Sequence, residues 1–155
     1  MRRHLTMSEI ALAETIFGDA IDYAPVTVNR RRWFPFQPAN VVMAPDGHIW
    51  INPRGKLWSE DYAREDLPIQ AVFLHELTHV LQTQERGRFY LLLMRHPFCR
   101  YRYRVKPGQP FRRYGLEQQA EIVRHVFLLR HGLTTAGAAP LDVLEEILPF
   151  SRRLV

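Results

Sequence analysis

Phe73-Leu74-His75-Glu76-Leu77-Thr78-His79-Val80-Leu81 places the pattern HExxH inside an apolar, helix-forming run. On a helix, two histidines four apart lie about 40° apart around the axis and roughly 6 Å apart along it, so both imidazoles can reach one ion. Glu76 directly follows the first of them, too close to bind the same metal easily but well placed to take a proton from a water held there. The residues therefore read as ligand, general base, ligand. With 7 His and 10 Glu in 155 residues, chance yields the pattern with a probability of roughly 2%. A third ligand and a positioning scaffold have to be found before the motif carries weight.

A metzincin-type third ligand would need Gly at position 82 and His at 85, where the chain has Gln82 and Glu85. Six residues past His79, Glu85 lies about 240° around the helix and points away. His96 precedes a proline in a basic loop and has no supporting pattern. Glu117-Gln118-Gln119-Ala120-Glu121, about forty residues downstream of the motif, offers two carboxylates one turn apart on a helix. In such a pair the first carboxylate binds metal and the second accepts a hydrogen bond from a ligating histidine. Glu117, Glu121 and His125 share one stripe of that helix, and Leu116, Ala120, Val123 and Phe127 an apolar one, with small Ala120 allowing close packing. The alternative is a pair of solvated glutamates.

The elements that must hold these groups follow from caps and periodicity. Asp66 caps the motif helix, Pro68 sits in its first turn, and Gly87 stops it. Phe73, Leu77, Val80, Leu81 and Gln84 form its core face, offset from the face of Val72, His75 and His79. The second long helix runs over 116–131, stopped by Gly132; a first helix over 9–17 is capped by Ser8, and a short one spans 141–148. Residues 26–28 are a short β-prone run. Runs 41–43 and 48–51 flank an Asp46-Gly47 turn and read as a hairpin, onto whose edge an extended peptide could add. His48 beside that turn reads as exposed. A helical turn is expected within 58–64, a short buried helix over 89–94, and a strand over 100–105 with an arginine face and an aromatic face. These elements predict an α+β chain forming a single domain over 1–155.

Composition narrows the setting. Fractions of 46% hydrophobic and 24% charged residues suit a soluble globular protein. Cys99 is the only cysteine, which excludes an internal disulfide and a Cys-based zinc site. Acids at Glu9, Glu14 and Asp19 precede any long apolar run, so no Sec-type signal is expected, and no run approaches the roughly 20 residues of a membrane span. The expected location is cytoplasmic as synthesised, with export left to a machine that needs no N-terminal signal. Nine Lys or Arg and no Asp or Glu lie between Arg86 and Arg113, which exceeds the whole net charge of +5, so the rest of the chain is net acidic. The triplet Arg30-Arg31-Arg32 reads as a solvated face.

HExxH followed by E-x-x-A-E resembles the gluzincin arm of the zincin metallopeptidases. More narrowly, Leu74 to Gln82 together with Leu116 to Glu121 is similar to small metallopeptidases found beside bacterial contractile injection systems, among them Vgr-related proteins of type VI secretion; the resemblance covers residues 40–132. It implies a small zincin-like α+β domain, with the HExxH and glutamate helices packed against a small twisted sheet or hairpin. It also implies that His75, His79 and Glu117 bind Zn²⁺, that Glu76 is the general base, and that the substrate is a peptide or protein. Glu121 stands where many gluzincins have Asp, so Glu117 and Glu121 both remain candidates for the third ligand. Tyr114 and His125 are candidate oxyanion donors, each with a structural role as its alternative. Two rival readings stand beside the peptidase. One is a zinc-binding structural or adaptor component that cleaves nothing. The other, from the basic aromatic segment 86–113, is a binder of anionic surfaces or nucleic acid, although no nucleic-acid module pattern is recognisable.

Overall fold

The computed structural model describes residues 1–95 and 99–150. In chain order the elements are β1 (Arg2–His4), α1 (Met7–Phe17), β2 (Thr27–Asn29), β3 (Val42–Met43), β4 (Ile49–Ile51), a 3₁₀ turn (Tyr62–Arg64), α2 (Leu67–Arg86), α3 (Tyr90–Met94), a 3₁₀ turn (Phe111–Arg113), α4 (Leu116–Arg130) and α5 (Leu141–Ile147). The four strands form one mixed sheet in the order β1-β2-β4-β3, with β2 and β4 parallel and both outer pairs antiparallel. A small mixed sheet from the first third of the chain, with α1 between its first two strands, followed by an all-helical remainder makes the fold α+β.

The expected hairpin is present, pairing Val42 with Ile51 and Met43 with Trp50. Its turn needs Gly47, whose φ of 89° is strained for any residue with a Cβ. β3 is the sheet edge, as a peptide-adding strand would have to be, but it is only two residues long. His48 is half-buried rather than exposed, because its Nδ1 meets Thr27 Oγ1 at 3.0 Å. Strand β1 carries no apolar alternation and was not expected. Glu9 explains its position: this buried carboxylate takes two bonds from the Arg3 guanidinium at 2.7 and 2.8 Å and one each from the Thr6 and Tyr62 N–H groups. It ties β1, α1 and the first 3₁₀ turn to one point. Thr6 rather than Ser8 is the N-cap of α1, because Thr6 and Glu9 satisfy each other's backbone N–H groups as a capping box.

Helix α2 starts and stops where expected, with Asp66 accepting from the Ile69 N–H and Gly87 at φ 99° ending it. Between Phe73 and Thr83 every residue is buried, with α4, α3, the first 3₁₀ turn and the β3–β4 hairpin packed against α2, so this stretch presents no wet face. Gln84 is not part of the core. It is exposed and clamps the Asp22 backbone through both ends of its amide, at 2.9 and 2.8 Å. Ala120, Val123 and Phe127 of α4 are buried, Ala120 with no exposed surface, and α4 packs against α2.

Two expectations for the basic stretch fail. α3 is helical, but Phe89, Leu92, Leu93 and Met94 are exposed and only Leu91 is buried. Residues 100–105 pair with no strand. Their alternation has another physical source: Tyr101 and Tyr103 turn toward imidazoles of the α2–α4 face, while Arg100, Arg102 and Arg104 line a cavity beside it.

Candidate metal centre

α2 and α4 cross so that His75 and His79, one turn apart on α2, face Glu117 in the first turn of α4. Both histidine Nε2 atoms lie 3.2 Å from the same Glu117 oxygen, Oε2. One ligand atom from each of the three residues lies within 4.8 Å of the others, and all three residues are buried. The group could hold a metal ion.

The hydrogen bonds behind this face decide which nitrogen is free. The Tyr114 carbonyl can only accept, so the Gln119 amide nitrogen must face it, at 2.8 Å. Gln119 Oε1 then accepts from Gln82 Nε2 at 3.1 Å, and Gln82 Nε2 also donates to the Leu116 carbonyl at 3.0 Å. Gln82 Oε1 is left to accept from His79 Nδ1 at 2.9 Å. This chain fixes the proton of a neutral His79 on Nδ1 and leaves the Nε2 lone pair directed at a carboxylate oxygen. Two acceptors at that distance need a cation between them, a proton or a metal. Among the described residues Glu76 Oε2 has no hydrogen-bond partner although it is buried, and Glu117 Oε1 has none beyond the 3.4 Å ion pair with Arg95, which is a second sign that these residues fit a group able to accept oxygen lone pairs.

His75 is held differently. Its Nδ1 meets Glu121 Oε1 at 3.1 Å, so carboxylates face both ring nitrogens. Burial disfavours its charged form, but the bonds to Glu117 and Glu121 win and push the imidazole up to about 9. Glu117 and Glu121 are the other side of the same balance. Burial would raise each carboxyl, yet the two histidines hold Glu117 well below the usual range, and His125, His75 and Arg124 do the same for Glu121. For Glu76 the result is reversed: burial pushes it up despite both neighbouring imidazoles.

These shifts give the metal-free protein a defined pH window. A His75 pKa raised above its ordinary 6.5 contributes stability that is complete below 6.5 and lost as pH rises through about 9. The lowered Glu117 and Glu121 contribute stability that is present above their ordinary 4.5 and lost as pH falls. Denaturant midpoints of chelator-treated protein are therefore expected to peak between about 4.5 and 6.5 and to decline toward pH 9. A midpoint that rises from pH 6.5 to 9 would contradict this balance.

The other candidates are placed as follows. Glu85 turns away and pairs with Arg112, whose Nε lies 3.1 Å from it. His96 lies outside the described residues. The Tyr114 hydroxyl accepts the Lys106 N–H at 3.1 Å, and its ring belongs to the apolar core. His125 is buried behind Glu121, with Nε2 at 3.4 Å from its Oε2 and Nδ1 bonded to the Tyr103 hydroxyl. Sequence reasoning missed four participants. Gln82 orients His79; its spacing of three from His79 on one helix was an available signal. Arg95 reaches Glu117 Oε1 at 3.4 Å and bonds to Tyr101, whose ring stacks on His75 at 6.2 Å, while Tyr103 backs His125. Nothing local in the sequence marks those three, because the chain carrying them is placed by tertiary contacts.

No family model matches the chain. It is 39% identical over 145 residues, covering 88% of this chain, to the type VI secretion system spike protein VgrG2b of Pseudomonas aeruginosa, of whose length it spans 14%. Among solved structures it is similar to the effector domain of Pseudomonas aeruginosa VgrG2b, with a TM-score of 0.75 and 33% identity, covering 94% of this chain and 83% of that one. With that identity over most of both chains, this protein belongs to the family of the VgrG2b effector domain.

Proposed function

We propose that this chain is a zinc-dependent peptide-bond hydrolase of gluzincin type. The observation that carries the reading is the convergence of both histidine Nε2 atoms on one Glu117 oxygen beside a buried Glu76 whose Oε2 has no hydrogen-bond partner among the described residues. His75, His79 and Glu117 would hold the ion, a set of two imidazoles and one carboxylate that suits Zn²⁺ and leaves a position open. When bound, zinc supplies a Lewis acid that polarises a carbonyl and brings the pKa of a water to about 7.

The remaining work belongs to the chain's own residues. Glu76 takes the proton of the attacking water and returns it to the leaving amine; burial already raises its proton affinity toward that task. Gln82 holds His79 in the tautomer that ligation requires, and Glu121 orients His75 from its far nitrogen. Tyr114 and His125 remain candidates for stabilising the oxyanion. His125 is the nearer in function, because it contacts Glu121 and lines the same cavity.

The family gives the setting. The chain would act as a secretion-system component, cytoplasmic when made and exported without an N-terminal signal. Among the described residues no helix is long and apolar enough to cross a membrane. The test is metal dependence against a peptide library. Cleavage is expected to disappear on dialysis against a chelator and to return with one equivalent of zinc but not with magnesium. Chelator-insensitive cleavage would overturn the proposal, and stoichiometric zinc without cleavage would leave a structural or adaptor role.

A further inference from the structure

Arg100, Arg102, Arg104 and Lys106 line a cavity of about 590 Å³, with Arg113 beside them and no carboxylate in the lining. None of these five cations forms an ion pair with a described residue. Their neighbours in the basic stretch do: Arg95 meets Glu117 and Arg112 meets Glu85. Unpaired like charges around one concavity repel each other and focus a positive potential there, which an anionic guest relieves. The cavity also shares Arg102 and Tyr103 with a second one, of about 410 Å³, bordered by Glu121 and His125. A ligand seated among the arginines therefore lies one wall away from the side chains that support His75.

We propose that this cationic cavity is a substrate subsite that selects peptides carrying Asp or Glu at alternate positions on one side of the scissile bond. The inference rests on the hydrolase reading above and names its substrate class. The spacing favours a peptide over a phosphate chain. The wall presents a cation at every second residue from Arg100 to Lys106, and side chains at alternate positions of an extended peptide share one face at the same interval. Each position of the wall can then meet one carboxylate; Tyr101 stacks on His75 instead, and Tyr103 stands in the wall shared by the two cavities and reaches His125. The start of α4 borders the cavity at Gln118, but the Gly115 N–H there already donates to Gln118 Oε1 at 2.8 Å, so that donor is not offered to a phosphate.

Binding can be read without turnover by anisotropy, using the full chain carrying Glu76→Gln. The probe is a fluorescein-labelled peptide of about ten residues with alternating Glu, compared with the same peptide in Gln and with a single-stranded oligonucleotide of similar charge. The Glu peptide is expected to bind at least about tenfold tighter than the Gln peptide at physiological salt, and less tightly as salt rises. Arg102→Gln with Arg104→Gln should remove about tenfold of that affinity. The same charge change at exposed Arg31 and Arg54, which border neither cavity, should alter it less than about twofold. Equal binding of the Glu and Gln peptides, equal loss in both double variants, or tighter binding of the oligonucleotide would each overturn the inference. The two proposals separate cleanly. Zinc-dependent cleavage without acidic preference would sink this one and keep the hydrolase, whereas Arg102-dependent acidic binding with no cleavage by the wild type would sink the hydrolase and leave the cavity an acidic-peptide binding site but not a substrate subsite.

Discussion

Glu76→Gln is expected to lower peptide turnover by about 10²- to 10⁴-fold, the range for loss of a general acid–base, while zinc stoichiometry stays at the wild-type value. The two readouts separate because Glu76 is not among the three residues whose ligand atoms converge. A third readout gives the sign of its structural cost. Two effects compete at this carboxyl: burial disfavours its charge, and the neighbouring imidazoles favour it. Burial wins, so the carboxylate destabilises the metal-free fold above its ordinary pKa, and an isosteric neutral amide removes that penalty. The Tm of the chelator-treated variant at pH 8 is therefore expected to equal or exceed that of the wild type. A variant that loses zinc, or whose metal-free Tm falls by many degrees, would show Glu76 to be a structural or ligating group. Retention of full turnover would remove it as the base.

What the sequence made legible follows from how local each feature is. His75 and His79 are locked in mutual geometry by four residues of helix, and Glu117 and Glu121 likewise, so each half of the centre could be read from spacing alone. The two helices pack against each other, and Ala120, read from the pattern as a small residue on the apolar stripe of α4, is fully buried. The caps at Asp66 and Gly87 were local backbone chemistry and fell where expected. Residues 100–105 were not legible in the same way. Period-two alternation normally reports a strand with two unlike faces, but it reports only the unlike faces; here they are an imidazole-lined face and a cationic cavity, and no neighbouring strand supplies a ladder. β1 was invisible for the opposite reason. Its three polar residues are held by a register with β2 and by the bonds of Arg3 to Glu9, neither of which leaves a periodic trace. α3 shows that an apolar run predicts a helix more safely than it predicts burial, since four of the residues from Phe89 to Met94 face solvent.

Metal content of Glu117→Ala and Glu121→Ala addresses the point at which spacing alone left two glutamates open. The two nitrogens of an imidazole point in divergent directions, so a carboxylate that meets Nδ1 cannot share an ion with Nε2 of the same ring. Glu121 Oε1 meets His75 Nδ1 at 3.1 Å, whereas Glu117 Oε2 meets the Nε2 atoms of both His75 and His79. Glu121 is also committed elsewhere, to Arg124 at 3.0 and 3.1 Å and to His125. Among the described residues Glu117 has one further ion-pair partner, Arg95, at the longer distance of 3.4 Å. Glu117→Ala is accordingly expected to purify without stoichiometric zinc. Glu121→Ala should keep one zinc per chain but bind it about 10- to 100-fold more weakly, the usual cost of removing a carboxylate that orients a ligating histidine. In the metal-free state either removal lowers the His75 pKa from about 9, so the midpoints of both variants should lose less between pH 6.5 and 9 than that of the wild type, with the larger change in Glu117→Ala, whose bond is the larger cause of the shift. Zinc lost from Glu121→Ala and retained in Glu117→Ala would reverse the assignment and make the second carboxylate of the pair the ligand.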